Sequence, residues 1–219
     1  PNDGDQITGI GDNNGIIFNN NGIKFTINVS GNLTINSGGN IDGEGTDSAT
    51  APTVGSNITI IATNIILNSG SKITVHGGDL TANSVSIAGR GGIINISTGL
   101  LILDGTLNVS GGNWATLNGG GGDAGSIYLD ITNDLVINGN IDGTGGRGYA
   151  DSTGALAGYR GSSAYISINE PNLNLVVNGN VTARTGISGG YNNAIWTKSN
   201  ITFNNITINN TGIMYVAGN

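Results

Sequence analysis

Asn32-Leu33-Thr34-Ile35-Asn36-Ser37-Gly38-Gly39-Asn40-Ile41-Asp42-Gly43 decides the fold, because the chain rewrites it several times. Variants stand at 63–78 (TNIILNSGSKITVHGG), 98–112 (TGLLILDGTLNVSGG), 132–146 (TNDLVINGNIDGTGG), 171–186 (PNLNLVVNGNVTARTG) and 204–218 (NNITINNTGIMYVAG). Each reads as Leu or Ile alternating with polar residues, a turn pair such as Asn-Gly, then a second alternating run. Self-similarity at about 32–39 residues is the mark of stacked repeats, in which no unit buries its apolar face alone.

Working outward, each repeat divides into three short strands. The first precedes the quoted motif: Phe25/Ile27, Ile58/Ile60, Ile94/Ile96, Ile127/Leu129, Tyr165/Ile166/Ile168 and, less regularly, Ile195/Ile201/Phe203. The second is the Leu/Ile pair, as in Leu33/Ile35. The third follows the turn, as in Ile41, Leu107/Val109 and Ile213/Tyr215. The turn slots Ser69-Gly70, Asp104-Gly105, Asn138-Gly139 and Asn178-Gly179 suit a backbone needing positive φ. Gly-rich connections (about 43–56, 77–92, 112–125, 143–163 and 184–194) vary in length while the strand slots do not, so they should stack along one edge. Residues 79–90 carry an extra apolar alternation, which predicts a short additional strand. The reading is an all-β parallel β-helix, or β-solenoid, of about six coils over 23–219, preceded by an N-terminal cap or pairing strand over 1–22. A helical period is absent throughout.

Composition narrows the class. Disordered chains are highly charged and poor in β-branched residues, whereas only 10% of this one is charged and Ile, Val and Thr abound. Seven Lys and Arg against a net charge of −7 leave no basic stripe for nucleic acid. Without cysteine there are neither disulfides nor thiolate sites. No apolar run reaches the 18 or so residues of a membrane helix. The chain starts at Pro1 instead of Met, and the expectation is a processed or trimmed chain. An acidic, Asn/Gly/Thr-rich composition fits an exported microbial protein located outside the cell or on its surface.

With these slots laid out, GGGGDAGSIYLDITNDLVINGNIDGTGG (119–146) resembles repeats of right-handed parallel β-helix surface proteins, nearest to filamentous-haemagglutinin-type adhesins. The likeness spans about 23–218 and consists of slots without a diagnostic residue. It implies a β-helix. It does not by itself imply one function, because the fold hosts adhesins, filament subunits and polysaccharide-cleaving enzymes.

Each candidate group also has a plainer role. Asp42 and Asp142 share a repeat slot and would serve glycoside chemistry if paired, although Asp also suits turns. Asp42, Glu44 and Asp47 cluster oxygen ligands on Gly-rich backbone, as a calcium site does; no other cofactor is expected. His76, the lone histidine, reads as an outward β residue. Trp114, Tyr149, Tyr159 and Tyr191 fall in the loops, where they could stack on glycans, meet a partner, or pin the loops. N-glycosylation sequons begin at Asn28, Asn32, Asn57, Asn95, Asn108, Asn180, Asn200, Asn205 and Asn209. Ile16, Ile17 and Phe18 at one end and Ile213, Met214, Tyr215 and Val216 at the other are apolar strands suited to pairing with another copy.

These residues lead to an expected function: a non-enzymatic structural solenoid, as an extracellular filament subunit or an adhesin stalk. Its partners would be other copies, the rest of a larger surface protein, or host and matrix glycans. The rivals are a carbohydrate-binding or carbohydrate-cleaving β-helix and an ice-binding solenoid. The latter needs a flat array of Thr or Asn that the outward residues here do not supply.

Overall fold

The structure is a computed structural model of the 219-residue chain. It describes residues 23–82, 86–114, 119–148, 161–162, 164–168 and 175–183 in full. For 7–10, 16–17, 149, 174, 184, 188–189, 201–202, 207–208 and 213–216 it describes the backbone alone.

Two parallel ladders carry the molecule, and no helix occurs among the described residues. The long ladder has ten strands, with Asn57–Leu67, Ile93–Leu103 and Ser126–Ile137 at its centre. The short ladder has seven: Ile16–Ile17, Asn40–Asp42, Lys72–Thr74, Thr106–Asn108, Asn140–Thr144, Asn180–Arg184 and Ile213–Val216. Every pairing is parallel and joins successive coils, so the chain is a β-solenoid. The coil count differs from the six expected. About three turns are described nearly continuously within 23–148, and the levels beyond them are described mainly by ladder strands. Ile7–Ile10 and Ile16–Ile17 each extend a ladder by one level, pairing with Leu33–Ile35 and Ile41–Asp42.

The apolar slots explain why the coils stack. Register places Leu33 on Ile65, Ile65 on Leu101 and Leu101 on Leu135. Ile41, Ile73, Leu107, Ile141 and Val181 form a second column along the short ladder. These side chains are all at most 2% exposed, and burying each contributes about 1.5–3 kcal/mol. The apolar columns stay in register, even across the shift between Ile131 and Asp134, because a one-residue slip would turn the apolar groups outward.

Three strands per coil is too fine a division for the middle coils. There the first and second slots lie on one strand of 11 or 12 residues. Within Asn57–Leu67 the buried set runs Ile58, Ile60, Ala62 and then Ile65, Leu67, so inward parity breaks near Thr63. The wall turns a corner at that break while ladder hydrogen bonding continues. Separate first and second strands survive in the outer coils, as Lys24–Asn28 with Asn32–Ile35 and Tyr165–Ile168 with Asn174–Val177. Tyr165 also departs from its expected inward slot: it is exposed, and Ile166 and Ile168 fill the core.

The turn glycines divide into two kinds. Gly38 and Gly70 adopt φ of 78° and 82°, as a left-handed turn requires. Their turns hold four residues between the flanking strands, 36–39 and 68–71. Asp104-Gly105, Asn138-Gly139 and Asn178-Gly179 are two-residue connections whose glycines lack positive φ. Here glycine is needed for proximity: a Cβ on Gly139 would overlap the Gly105 carbonyl, and one on Gly179 the Gly139 carbonyl.

The Gly-rich connections do stack, and more tightly than loops normally do. Gly89 donates its N–H to the Gly78 carbonyl (2.8 Å), Gly112 to Gly89 (2.9 Å), Gly122 to Gly112 (2.9 Å) and Gly146 to Gly122 (2.7 Å). Gly78, Gly112 and Gly146 lie on outgoing legs, whereas Gly89 and Gly122 lie on returning legs. The two legs of each loop therefore alternate in one hydrogen-bonded column. A Cβ at any of these positions would strike backbone, so this side wall is built without side chains. Beyond it, Leu80, Ala88 and Trp114 form a small apolar cluster. The extra strand expected over 79–90 is absent among the described residues: Leu80 and Ile87 make only isolated bridges.

Candidate functional site

Most chemically suggestive side chains are occupied in hydrogen bonds, some within a turn and some between coils. Asp42 Oδ1 accepts the Glu44 N–H at 2.9 Å, and Asp142 Oδ1 accepts that of Thr144 at 2.9 Å. Asp42 and Asp142 share a column but are separated by Thr74 and Asn108. Three ladder steps of about 4.8 Å put them roughly 14 Å apart. Glycoside hydrolysis places its carboxylates at about 5–9.5 Å, so these two do not form such a pair.

The proposed calcium ligands are likewise divided among separate partners. Glu44 Oε1 accepts a hydrogen bond from Thr74 Oγ1 at 2.9 Å, and Asp47 Oδ1 accepts the Asp79 N–H at 2.7 Å. Among the described residues no three His, Asp or Glu side chains are grouped to hold a metal ion. His76 is half-buried, its Nε2 3.8 Å from Asp79 Oδ1. Asp47 begins a chain of such contacts. Asp79 Oδ1 accepts the Asn113 N–H (2.6 Å), and Asn113 Oδ1 accepts the Arg147 N–H (3.0 Å).

The loop aromatics do not form an exposed ladder among the described residues. Trp114 is 5% exposed against Leu80 and Ala88, which is the loop-pinning arrangement and leaves no open ring face for a sugar. Tyr149 lies on a short strand, Gly148–Tyr149, paired with Ser188–Gly189. Tyr159 and Tyr191 lie outside the described residues, as do Phe18 and the sequon residues Asn200, Asn205 and Asn209. Ile16–Ile17 and Ile213–Val216 are the outermost strands of the short ladder at opposite ends.

The remaining sequons meet different surroundings. Asn28 and Asn32 are exposed. Asn95 and Asn180 use Nδ2 as donor, to Thr59 Oγ1 at 3.3 Å and to Asn140 Oδ1 at 3.1 Å. Asn108 Oδ1 accepts from both the N–H and the hydroxyl of Ser110. Asn57 is half-buried in the surface depression described next.

The outer face of the first-slot strands carries a shallow groove that the motif reading missed. One depression of about 330 Å³ is lined by Lys24, Phe25, Thr26, Asn57, Thr59, Ile93, Asn95 and Tyr128. A second, of about 280 Å³, continues from it over Val54, Asn57, Arg90, Ile93 and the backbone of neighbouring glycines. Asn57 and Ile93 belong to both. At one end Tyr128 leans on Tyr165, ring centroids 5.6 Å apart and planes at 50°. Both rings are exposed, at 38% and 43%. The signal was present in the strand parity: Tyr128 stands between inward Ile127 and Leu129, so its ring must face out.

Among the described residues Lys24 and Arg90 form no ion pair with a carboxylate, and no Asp, Glu or His lines either depression. The described lining of the groove therefore offers cationic, amide, hydroxyl and aromatic contacts. No protein-family model, curated protein or solved structure matches the chain.

Proposed function

We propose that this chain is a structural, non-enzymatic β-solenoid displayed outside the cell, as a filament subunit or the stalk of an adhesin. The observation that carries the reading is the form of its two ladders. Their slots repeat level after level, and the outermost described strands at both ends have a ladder partner on one side only. A parallel edge of this kind presents unpaired backbone groups, and an edge with the same spacing at the other end of the same chain can satisfy them. Such contacts are heterologous and propagate into a fibre. Side-chain chemistry supports the same reading, because Asp42, Glu44, Asp47 and Asp142 are engaged in joining turns and coils.

Electron microscopy of the purified chain tests this proposal. Copies stacked at the seven described levels of the short ladder would give filaments with an axial repeat of about 34 Å. A strictly monomeric particle at high concentration would remove the self-assembling filament subunit and leave the stalk, in which the ladders continue within one longer protein.

A further inference from the structure

We infer that the groove between Lys24, Arg90 and Tyr128 is a binding site for an anionic oligosaccharide bearing carboxylate or sulfate groups. Acidic residues outnumber basic ones 14 to 7 in this chain, yet none of the described residues lining either depression of the groove carries a carboxylate. Each depression instead contributes one exposed cation, Lys24 in the first and Arg90 in the second. Asp123, one level beyond Arg90, directs Oδ1 to the Ser162 N–H at 2.7 Å.

The geometry selects the class of anion. The Lys24 column runs through Asn57, Ile93 and Ser126 to Tyr165, four ladder steps or about 19 Å along the coil axis. A chain of sugar rings lying along that axis would meet a cation near one end and the tilted Tyr128–Tyr165 pair at the other. An exposed tyrosine face accommodates the apolar C–H face of a pyranose. Asn57, whose side chain has no hydrogen-bond partner among the described residues, faces ring hydroxyls in between, and Arg90 offers a planar fork for a carboxylate or sulfate. A peptide is less well served. The N–H groups of Gly55, Gly91, Gly92 and Gly125 beside the groove are all committed to carbonyls of the solenoid. Nucleic acid would need many more cations than two.

Calorimetry on the dispersed full chain tests the site independently of filament formation. The probes are a hyaluronan hexasaccharide, a sulfated heparin hexasaccharide, neutral chitohexaose and hexaglutamate, at low salt. Binding of hyaluronan is expected to fall at least tenfold in the double variant Lys24→Ala/Arg90→Ala and about tenfold in Tyr128→Ala. It should be unchanged in Lys72→Ala/Arg147→Ala, whose cations lie outside the groove. Thermal melts by circular dichroism confirm that each variant is folded. Equal loss in both double variants would reduce the effect to general electrostatics and overturn the site. Equal binding of chitohexaose would overturn the role of the cations, and equal binding of hexaglutamate the saccharide class. Absence of binding by both hyaluronan and a sulfated heparin hexasaccharide at millimolar concentration would overturn the proposal outright.

Discussion

Single residues in this chain do one of three jobs, and substitution separates them. Leu101 is fully buried between Ile65 and Leu135, so Leu101→Ala leaves a cavity in the middle of a column. We expect a loss of about 2–5 kcal/mol by chemical denaturation. Gly38 and Gly112 are both glycines, yet they are held by different constraints. Gly38 has φ of 78° with nothing near its absent Cβ, so Gly38→Ala costs only the left-handed backbone, about 1–2 kcal/mol. Gly112 sits against the Gly78 carbonyl, and Gly112→Ala must push two coils apart. Its loss of stability in the same denaturation series should clearly exceed that of Gly38→Ala; an equal loss would mean that the column is looser than described. From sequence alone these glycines look the same, because proximity across coils leaves no local signature. The buried position of Trp114 was hidden for the same reason, since it depends on which loop lies next to it.

At the scale of elements, the turn between long and short strands is bound laterally by side-chain amides. Asn138 Nδ2 donates to Asp104 Oδ1 at 2.6 Å, and Asn178 Nδ2 donates to Asn138 Oδ1 at 2.7 Å. Asn68 Nδ2 donates to Asn36 Oδ1 at 3.3 Å in the same slot of earlier coils. Asn138→Ala removes two such bonds at an exposed site and should cost about 1 kcal/mol. Asn138→Asp instead places a second carboxylate one ladder step from Asp104. Like charges there raise the free energy of the folded state while both are ionised. The variant should be less stable than the unsubstituted chain at low salt, with the difference shrinking as added salt screens the pair. A salt series of denaturation midpoints checks this, and a salt-independent difference would contradict it. The aliphatic slots of these elements were legible in sequence, since Leu33/Ile35, Ile41 and their repeats alternate with polar neighbours. Fusion of the first two strands was not. Parity breaks at Thr63 where the wall turns, but backbone pairing does not depend on side-chain parity. The groove was partly legible: Tyr128 has outward parity, but only the register brings it beside Tyr165, Asn95 and Ile93.

Across the whole molecule, the aliphatic core and the glycine wall make the coils a single packed body in which loops are structural. This changes the standing of the long Gly-rich connections, which sequence reading treats as edge loops and the structure incorporates as interleaved legs. Hydrogen exchange resolved at single amides tests this most directly. The amides of Gly89, Gly112, Gly122 and Gly146, each an N–H donor to another leg, are expected to exchange as slowly as core amides such as those of Ile96 and Leu103. Exchange of these glycine amides at the rate of open loops, while the strand amides stay protected, would contradict it.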